Sequence, residues 1–337
     1  MKPTFELYDF AMEDAIKDRG IKKCGVIHFA RRANGSWIDI PVMIASGKKD
    51  GPILLVDACH HGDEHEGAEG IIRVFNSIDP QKMRGTLVAI PVLNVDAFVE
   101  LRRYGTQDMV PLDLNRSYPG NDIGSLTKCI ADFYFTRFIK KATAVITIHG
   151  GGNYLYLEPI TDYMHCGDEV SRISQEMAEA FGIEKLWQID ESEYDPKNGI
   201  MDENAYSVQV PVILPEIGGQ VTRLDQREKN IDILENGIIN VMKYLNILEE
   251  DPVEYNNHLH LQIEFLFTKH GGIHKPMKKG GERVKKGETL AIVTDLFGNE
   301  IDKIVAPYDC VVEGYWAYSV ALPRGWSYVI GKEVSGN

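Results

Sequence analysis

Thiol chemistry is scarce in this sequence. Its five cysteines, Cys24, Cys59, Cys129, Cys166 and Cys310, are odd in number and scattered over 337 residues, with no Cys-x-x-Cys pair. Neither a disulfide framework nor a thiolate zinc site is indicated, so any metal here must use His and carboxylate. No run of about 18 apolar residues is present, which argues against a membrane-spanning helix. Met1-Lys-Pro-Thr-Phe-Glu6 also lacks the apolar stretch of a signal peptide. A cytoplasmic location is the resulting expectation. Positive charge is short as well: 36 Lys and Arg against 50 Asp and Glu leave a net charge of −14. Nucleic-acid binders carry basic surfaces and anionic membranes attract basic runs, so neither partner is expected.

What is present is an ordinary globular composition, 44% hydrophobic, long enough for two domains or one large domain with an appendage. Lys22–Ala30 and Ser36–Ala45 read as strands around Arg32-Ala-Asn-Gly35, an Asn-Gly hairpin signal. Apolar β-rich runs at Ile53–Val56, Thr86–Leu93, Ala144–Ile148 and Val210–Leu214 then alternate with helical patterns at Gly67–Ile78, Leu126–Lys140, Val170–Phe181 and Ile231–Leu248. This order predicts an α/β fold, a mixed central sheet with helices on both faces. After about Pro252 the helical period stops and Gly punctuates short strands. Residues 1–251 are therefore expected to form one domain, and 252–337 a small all-β domain.

The densest chemistry lies in Val56-Asp-Ala-Cys-His-His-Gly-Asp-Glu-His65, where His61 and Glu64 follow an apolar strand. An imidazole and a carboxylate three residues apart can reach one small cation, and zinc takes both ligand types. In open α/β sheets ligands gather beyond the carboxyl ends of the strands. His149 and Gly150-Gly-Gly152 follow the run Ala144–Ile148, and Pro215-Glu216-Ile-Gly-Gly219 follows Val210–Leu214. Two His and one Glu make a catalytic zinc set with an open position, and the remaining carboxylate is a base for a water held there. Arg103 and the segment Asp113-Leu-Asn115-Arg116-Ser-Tyr-Pro-Gly120 lie between. Arg116 offers a planar fork for a carboxylate, Asn115 an amide donor, and Arg103 a donor to an oxyanion.

In this order, His61-x-x-Glu64, Arg103, Asn115-Arg116, His149 and Glu216 resemble the zinc carboxypeptidase superfamily. The phrases HHGDEHEG, DLNRSYPG and PEIGG, with the Gly-rich β tail, resemble its succinylglutamate desuccinylase/aspartoacylase branch. The resemblance covers nearly the whole chain. It implies one zinc ion per chain on His61, Glu64 and His149, with Glu216 as general base and acid. It also implies Arg103 as oxyanion stabiliser, and Asn115 with Arg116 as the clamp on a substrate α-carboxylate. The implied activity is hydrolysis of the amide of a small-molecule N-acyl amino acid, Glu216 activating a zinc-bound water. A carboxypeptidase acting on short peptides shares every catalytic part and is the alternative; a non-catalytic binding module would need a ligand or base to be missing. One departure is Thr147, where many deacylases of this branch have Asp two residues before the third ligand.

The tail phrases Val284-Lys-Lys-Gly-Glu-Thr-Leu290 and Ala306-Pro-Tyr-Asp-Cys-Val-Val-Glu-Gly314 resemble a biotinyl/lipoyl-like β fold. Pro276-Met-Lys-Lys279 precedes those strands, and no covalent cofactor is expected on it. The tail is expected to border the active-site mouth or an oligomer interface, and a homo-oligomer is compatible with the sequence. His60 and His65 are expected beside the ligands or at the surface rather than on the metal, and Asp63 is expected to orient a ligand or the turn. The acidic stretch Gln188–Asp195, continued by Asp202-Glu203, is of a kind that usually forms a solvated face. Lining a pocket, it would favour an acylated diamino acid.

Overall fold

The computed structural model describes residues 5–7, 10–219 and 224–334. Strands β1 (Phe5–Leu7), β2 (Ile21–Arg31), β3 (Trp37–Ser46) and β4 (Lys49–Ala58) open the chain, with one short helix, α1 (Met12–Ala15), after β1. Then follow α2 (Glu66–Ser77), β5 (Arg84–Ile90), α3 (Val95–Val99), α4 (Leu126–Arg137), β6 (Ala144–Ile148), β7 (Leu155–Leu157) and β8 (Ile160–His165). This part closes with α5 (Glu169–Phe181), β9 (Lys185–Asp190), α6 (Met201–Ser207), β10 (Val212–Glu216) and α7 (Leu224–Tyr244).

The central strands lie in the order β2-β3-β5-β4-β6-β10-β8-β9. Strands β5, β4, β6 and β10 are mutually parallel, whereas β3 and β8 run antiparallel to their neighbours β5 and β10. Alternate residues of β4 feed two cores, because successive side chains point to opposite faces of a sheet. Leu54, Val56 and Ala58 pack with Ile71, Phe181 and Leu234 from α2, α5 and α7. Leu55 and Val145 pack with Ile130, Tyr134 and Met201 from α4 and α6. The expected mixed sheet with helices on both faces is what forms.

Element bounds differ from the sequence pattern in instructive places. Strand β10 runs two residues further than the apolar run, through Pro215 to Glu216. Pro215 has no N–H to give, but its carbonyl accepts from His149 N at 2.9 Å, so the ladder passes through it. The expected helix Leu126–Lys140 ends at Arg137 and continues as a 3₁₀ turn, Ile139–Lys141. Helix α7 begins at Leu224 rather than Ile231 and ends at Tyr244. Strands β8 and β9 were not expected: Ile160-Thr-Asp-Tyr-Met-His165 is mostly buried yet carries an Asp and a His that hide its period. The Asn-Gly hairpin forms, with Gly35 at φ 85.

From Leu259 onward the described chain is all strand: β11 (Leu259–Phe267), β12 (Gly272–Pro276), β13 (Arg283–Val284), β14 (Thr289–Thr294), β15 (Glu300–Val305), β16 (Cys310–Trp316), β17 (Val320–Ala321) and β18 (Trp326–Glu333). Strand β11 pairs in parallel with β9, so the large sheet continues through β11-β18-β16-β13. A second sheet, β15-β14-β12-β17, closes over a separate core that includes Leu290, Val293, Val312 and Ile330.

Leu54 is fully buried between the central strands and their helices, whereas Phe297 is 91% exposed at a turn of the tail. Leu54→Ala is expected to lower stability by about 2–5 kcal/mol, and Phe297→Ala by no more than about 0.5 kcal/mol, both read from urea midpoints at unchanged slope.

Candidate metal centre

His61, His149 and Glu216 project from the ends of β4, β6 and β10, which are adjacent in the sheet. The β4 end turns sharply into α2 through Cys59–His65. A Cβ on Gly62 would lie 1.9 Å from the Ala97 carbonyl carbon, so only glycine fits between His61 and Asp63. His149 is held level with Glu216 by two backbone bonds: His149 N donates to Pro215 O at 2.9 Å, and Ile217 N donates to His149 O at 3.0 Å. The glycines that follow serve the same closeness. A Cβ on Gly150 would lie 2.4 Å from the Ile217 carbonyl oxygen.

Three ligand side chains converge. His61 Nδ1 is 2.7 Å from Glu64 Oε1, His149 Nδ1 is 2.9 Å from Glu64 Oε2, and the two Nδ1 atoms are 3.2 Å apart. These atoms are close enough to share one small ion, and the set is two imidazoles and a carboxylate. The residues fit a zinc-type ion. Among the described residues, this is the group of His, Cys, Asp and Glu side chains close enough to share one. All three are buried. Burial pulls the His149 imidazole down to about 4 against the pull of Glu64, which keeps it neutral and its lone pair available. Burial opposes ionisation of Glu64 too, but the two imidazoles hold its carboxyl well below the usual range.

Asp113, which the sequence reading left without a role, ties the centre together. It shares 3.0 Å with His61 Nε2 through one oxygen, and its other oxygen accepts from Arg103 Nε and Nη2 at 3.1 and 3.0 Å. A carboxylate on the outer nitrogen of a ligating His fixes ring orientation and tautomer. Arg103 is thereby aimed inward, with Nη1 3.6 Å from Glu64 Oε1. Asp113 also caps the 3₁₀ turn Leu114–Arg116 by accepting from Asn115 N, and so places the Asn115-Arg116 pair. Asn115 Oδ1 accepts from Met201 N at 2.8 Å, and its amide nitrogen lies 3.4 Å from His149 Nε2.

Behind the ligands, Asp57 stands opposite Thr147 in the β4–β6 register. Its carboxylate accepts from Thr147 Oγ1 at 3.0 Å and Tyr134 Oη at 2.5 Å, and meets His60 Nδ1 at 2.9 Å. Thr147 is thus tied to a carboxylate of the neighbouring strand. His60 bonds Tyr118 Oη at 2.7 Å and stacks on His149 with centroids 5.3 Å apart, while His65 donates to Gly62 O. Asp63 accepts from Asn153 N and so pins the glycine loop after His149.

The cavity over the centre holds about 140 Å³ and is lined by every expected site residue: His61, Glu64, Arg103, Asn115, Arg116, His149 and Glu216. Phe265 and Trp326 from the tail line it as well. A larger hollow of about 580 Å³ lies outside, sharing Arg103, Tyr154 and Trp326 with it. Burial and the nearby Glu64 carboxylate push the Glu216 carboxyl up from its ordinary value.

The family model of the succinylglutamate desuccinylase/aspartoacylase catalytic domain matches residues 50–245, more than half of the chain. The chain belongs to this family. A curated relative, the N-alpha-acetyl-L-2,4-diaminobutyric acid deacetylase of Halomonas elongata, is 27% identical over 263 residues, covering 76% of this chain and 74% of the relative. Two solved structures share the fold with a TM-score of 0.83 at 22% identity: a succinylglutamate desuccinylase from Silicibacter sp. TM1040, over 95% of this chain and 97% of its own, and the ectoine utilization protein EutE (DoeB) from Ruegeria pomeroyi, over 94% and 96%. Within this desuccinylase/aspartoacylase chain no described helix is long and apolar enough to cross a membrane.

Asp113→Asn is expected to weaken zinc affinity by roughly 10–100-fold, measured by competition with a chromophoric chelator; unchanged affinity would show that His61 needs no partner to hold its ring.

Proposed function

We propose that this protein is a zinc-dependent N-acyl-amino-acid deacylase that cleaves the amide bond of its substrate with water. The observation that carries this reading is the convergence of His61, Glu64 and His149 in one small cavity with Glu216, Arg103 and Arg116 on its wall. When bound, the ion supplies Lewis-acid polarisation of the amide carbonyl and acidifies a water.

Arg116, exposed to the cavity, and the Asn115 amide hold the α-carboxylate. Glu216 takes one proton from the attacking water as the oxygen adds to the carbonyl carbon. Arg103, held by Asp113, donates to the oxyanion that develops, a contribution of roughly 3–4 kcal/mol for one well-aimed donor. Glu216 then returns the proton to the nitrogen, so that the C–N bond breaks to a neutral amine. The products are a carboxylic acid and a free amino acid. Acetyl, the acyl group in the name of the Halomonas elongata relative, is the acyl group we take for this chain. The side chain is decided by the walls of the cavity next to Arg116.

A carboxypeptidase would share these parts. Against it, the tail strands β11 and β18 bring Phe265 and Trp326 onto the wall of a cavity of only about 140 Å³, which suits a small substrate.

Removal of zinc by a chelator is expected to abolish amine release from N-acetyl amino acids, and zinc to restore it. Glu216→Gln is expected to lose roughly 10²–10⁴-fold in kcat with zinc binding retained. Release from tripeptides at a rate equal to that from N-acetyl amino acids would turn the assignment to a carboxypeptidase.

A further inference from the structure

Two further hollows adjoin the metal cavity through separate sets of residues. One of about 290 Å³ shares Asn115, Arg116, Trp187 and Glu216 with it, at the carboxylate clamp. The other is the outer hollow of about 580 Å³, which shares Arg103, Tyr154 and Trp326 and includes neither the clamp nor the base. In the deacylase reading the carbonyl oxygen faces Arg103, and the nitrogen leads to the α-carboxylate at Arg116. The third substituent of the carbonyl carbon, the acyl chain, then leaves on the side of the outer hollow. Acetyl ends inside the 140 Å³ of the metal cavity, so the hollow is room that acetyl does not use.

The walls of the hollow come from both parts of the chain and are mostly rings. Tyr104 lies in the loop before the clamp, Tyr154 in the loop after His149, and Phe267, Trp316 and Trp326 at the ends of β11, β16 and β18. Tyr104, Tyr154 and Phe267 are 39%, 40% and 52% exposed, a lining left open in the single chain. Tyr154 and Trp316 stack with centroids 5.5 Å apart and planes 6° from parallel, and Ala317 N donates to Tyr154 O at 2.9 Å. This wall is thereby fixed to the loop that carries His149. Another wall is the turn Leu322-Pro-Arg-Gly325, held by Thr268. Its hydroxyl donates to Leu322 O at 2.6 Å, its N–H to Gly325 O at 2.9 Å, and its carbonyl accepts from Arg324 N at 3.1 Å. Arg324 sits at φ 61, a conformation that suits glycine, and a strained residue of this kind persists where its side chain is used. Arg102, Arg103 and Arg324 line the hollow and no described Asp or Glu does, in a chain whose net charge is −14. The acidic stretch foreseen as a solvated face lies elsewhere and is split: Glu191 and Glu193 are exposed, whereas Asp202 and Glu203 are buried.

We propose that the outer hollow is an acyl-chain site, and that the substrates extend to N-acyl amino acids whose acyl group ends in an uncharged aromatic ring. Acetyl is then the smallest acyl group that the site takes. The proposal rests on the deacylase reading for the direction in which the acyl chain leaves. Wall rings stack on a substrate ring, and a guanidinium lies against a ring face as well. A straight aliphatic chain gains burial but neither of those contacts. A short acyl group tipped with a carboxylate would pair with a guanidinium and leave the rings uncovered. The first residue of a peptide would bring an ammonium to the same place, where the guanidiniums repel it and no described carboxylate answers it. The hollow thus separates an acyl group from an aminoacyl group.

The test assays the zinc-loaded full chain on one set of amino acids, each carrying in turn acetyl, hexanoyl, succinyl, 3-phenylpropanoyl or phenylalanyl. Phenylalanyl is 3-phenylpropanoyl with one added ammonium. In kcat/KM, 3-phenylpropanoyl is expected to lead acetyl by at least about tenfold, as burial of one ring allows, and phenylalanyl to trail it by a similar factor. Phe267→Ala and Leu322→Ala, both at half-exposed positions, should each cut the lead over acetyl and leave acetyl turnover unchanged. An equal loss on both acyl groups would assign these side chains a structural role and overturn the proposal. A lead for succinyl or hexanoyl, or parity of 3-phenylpropanoyl with acetyl or with phenylalanyl, would overturn it too. So would a dimer that Phe267→Ala dissociates with the acyl ratios unmoved, since the hollow would then belong to a second copy. If nothing is cleaved above the Glu216→Gln blank, the deacylase reading falls. Calorimetric titration of the zinc-loaded Glu216→Gln protein with free 3-phenylpropanoate and acetate then decides the hollow by itself: tighter binding of the aromatic acid, weakened by Phe267→Ala, supports it, and equal binding refutes it.

Discussion

The parallel ladder joining β4, β6 and β10 is the constraint on which the site depends. Parallel strands end at one edge of a sheet, so the residues just past their ends meet without any long loop to bring them together. The two backbone bonds that bracket His149 hold it level with Glu216, and the Asp57–Thr147 pairing holds β6 level with β4. A slip of one residue would turn each of these side chains to the other face. The buried bonds from Asp57 to Thr147, Tyr134 and His60 lock that register through side chains as well as backbone.

Electrostatics build outward from this frame. Carboxylates at 64, 113, 162, 202, 203 and 216 crowd a region whose fixed cations are Arg103 and Arg116. Asp113 balances one guanidinium and one imidazole at once, which turns three separate segments into a single charged unit.

Much of this was legible in the sequence, for physical reasons. The helices of both faces and the hydrolytic set stood out because apolar periodicity and the residues after each strand are local signals. His61, Glu64, His149, Glu216, Arg103, Asn115 and Arg116 all reach the same cavity. Strands β8 and β9 were hidden because β8 carries Asp162 and His165 within a mostly buried run, which breaks the apolar pattern. Asp113 and Asp57 were in view as letters but not as partners, since their bonds span sequence separations of 52 and 90 residues to His61 and Thr147. Phe265 and Trp326 could not be assigned to the site from a tail whose contact with it depends on two distant strand pairings, β9 with β11 and β7 with β16.

The first of these pairings has a consequence for how the chain behaves as a whole. Because the large sheet passes without a break from β9 into β11, the tail is joined to the central sheet by backbone hydrogen bonds as well as by the chain itself. A protease cut in the segment between α7 and β11, followed by loss of the tail, would strip β9 of its partner and leave a bare row of backbone donors and acceptors. Such an edge invites pairing with another chain. The tail therefore acts as a permanent edge guard, and losing it endangers solubility as much as catalysis.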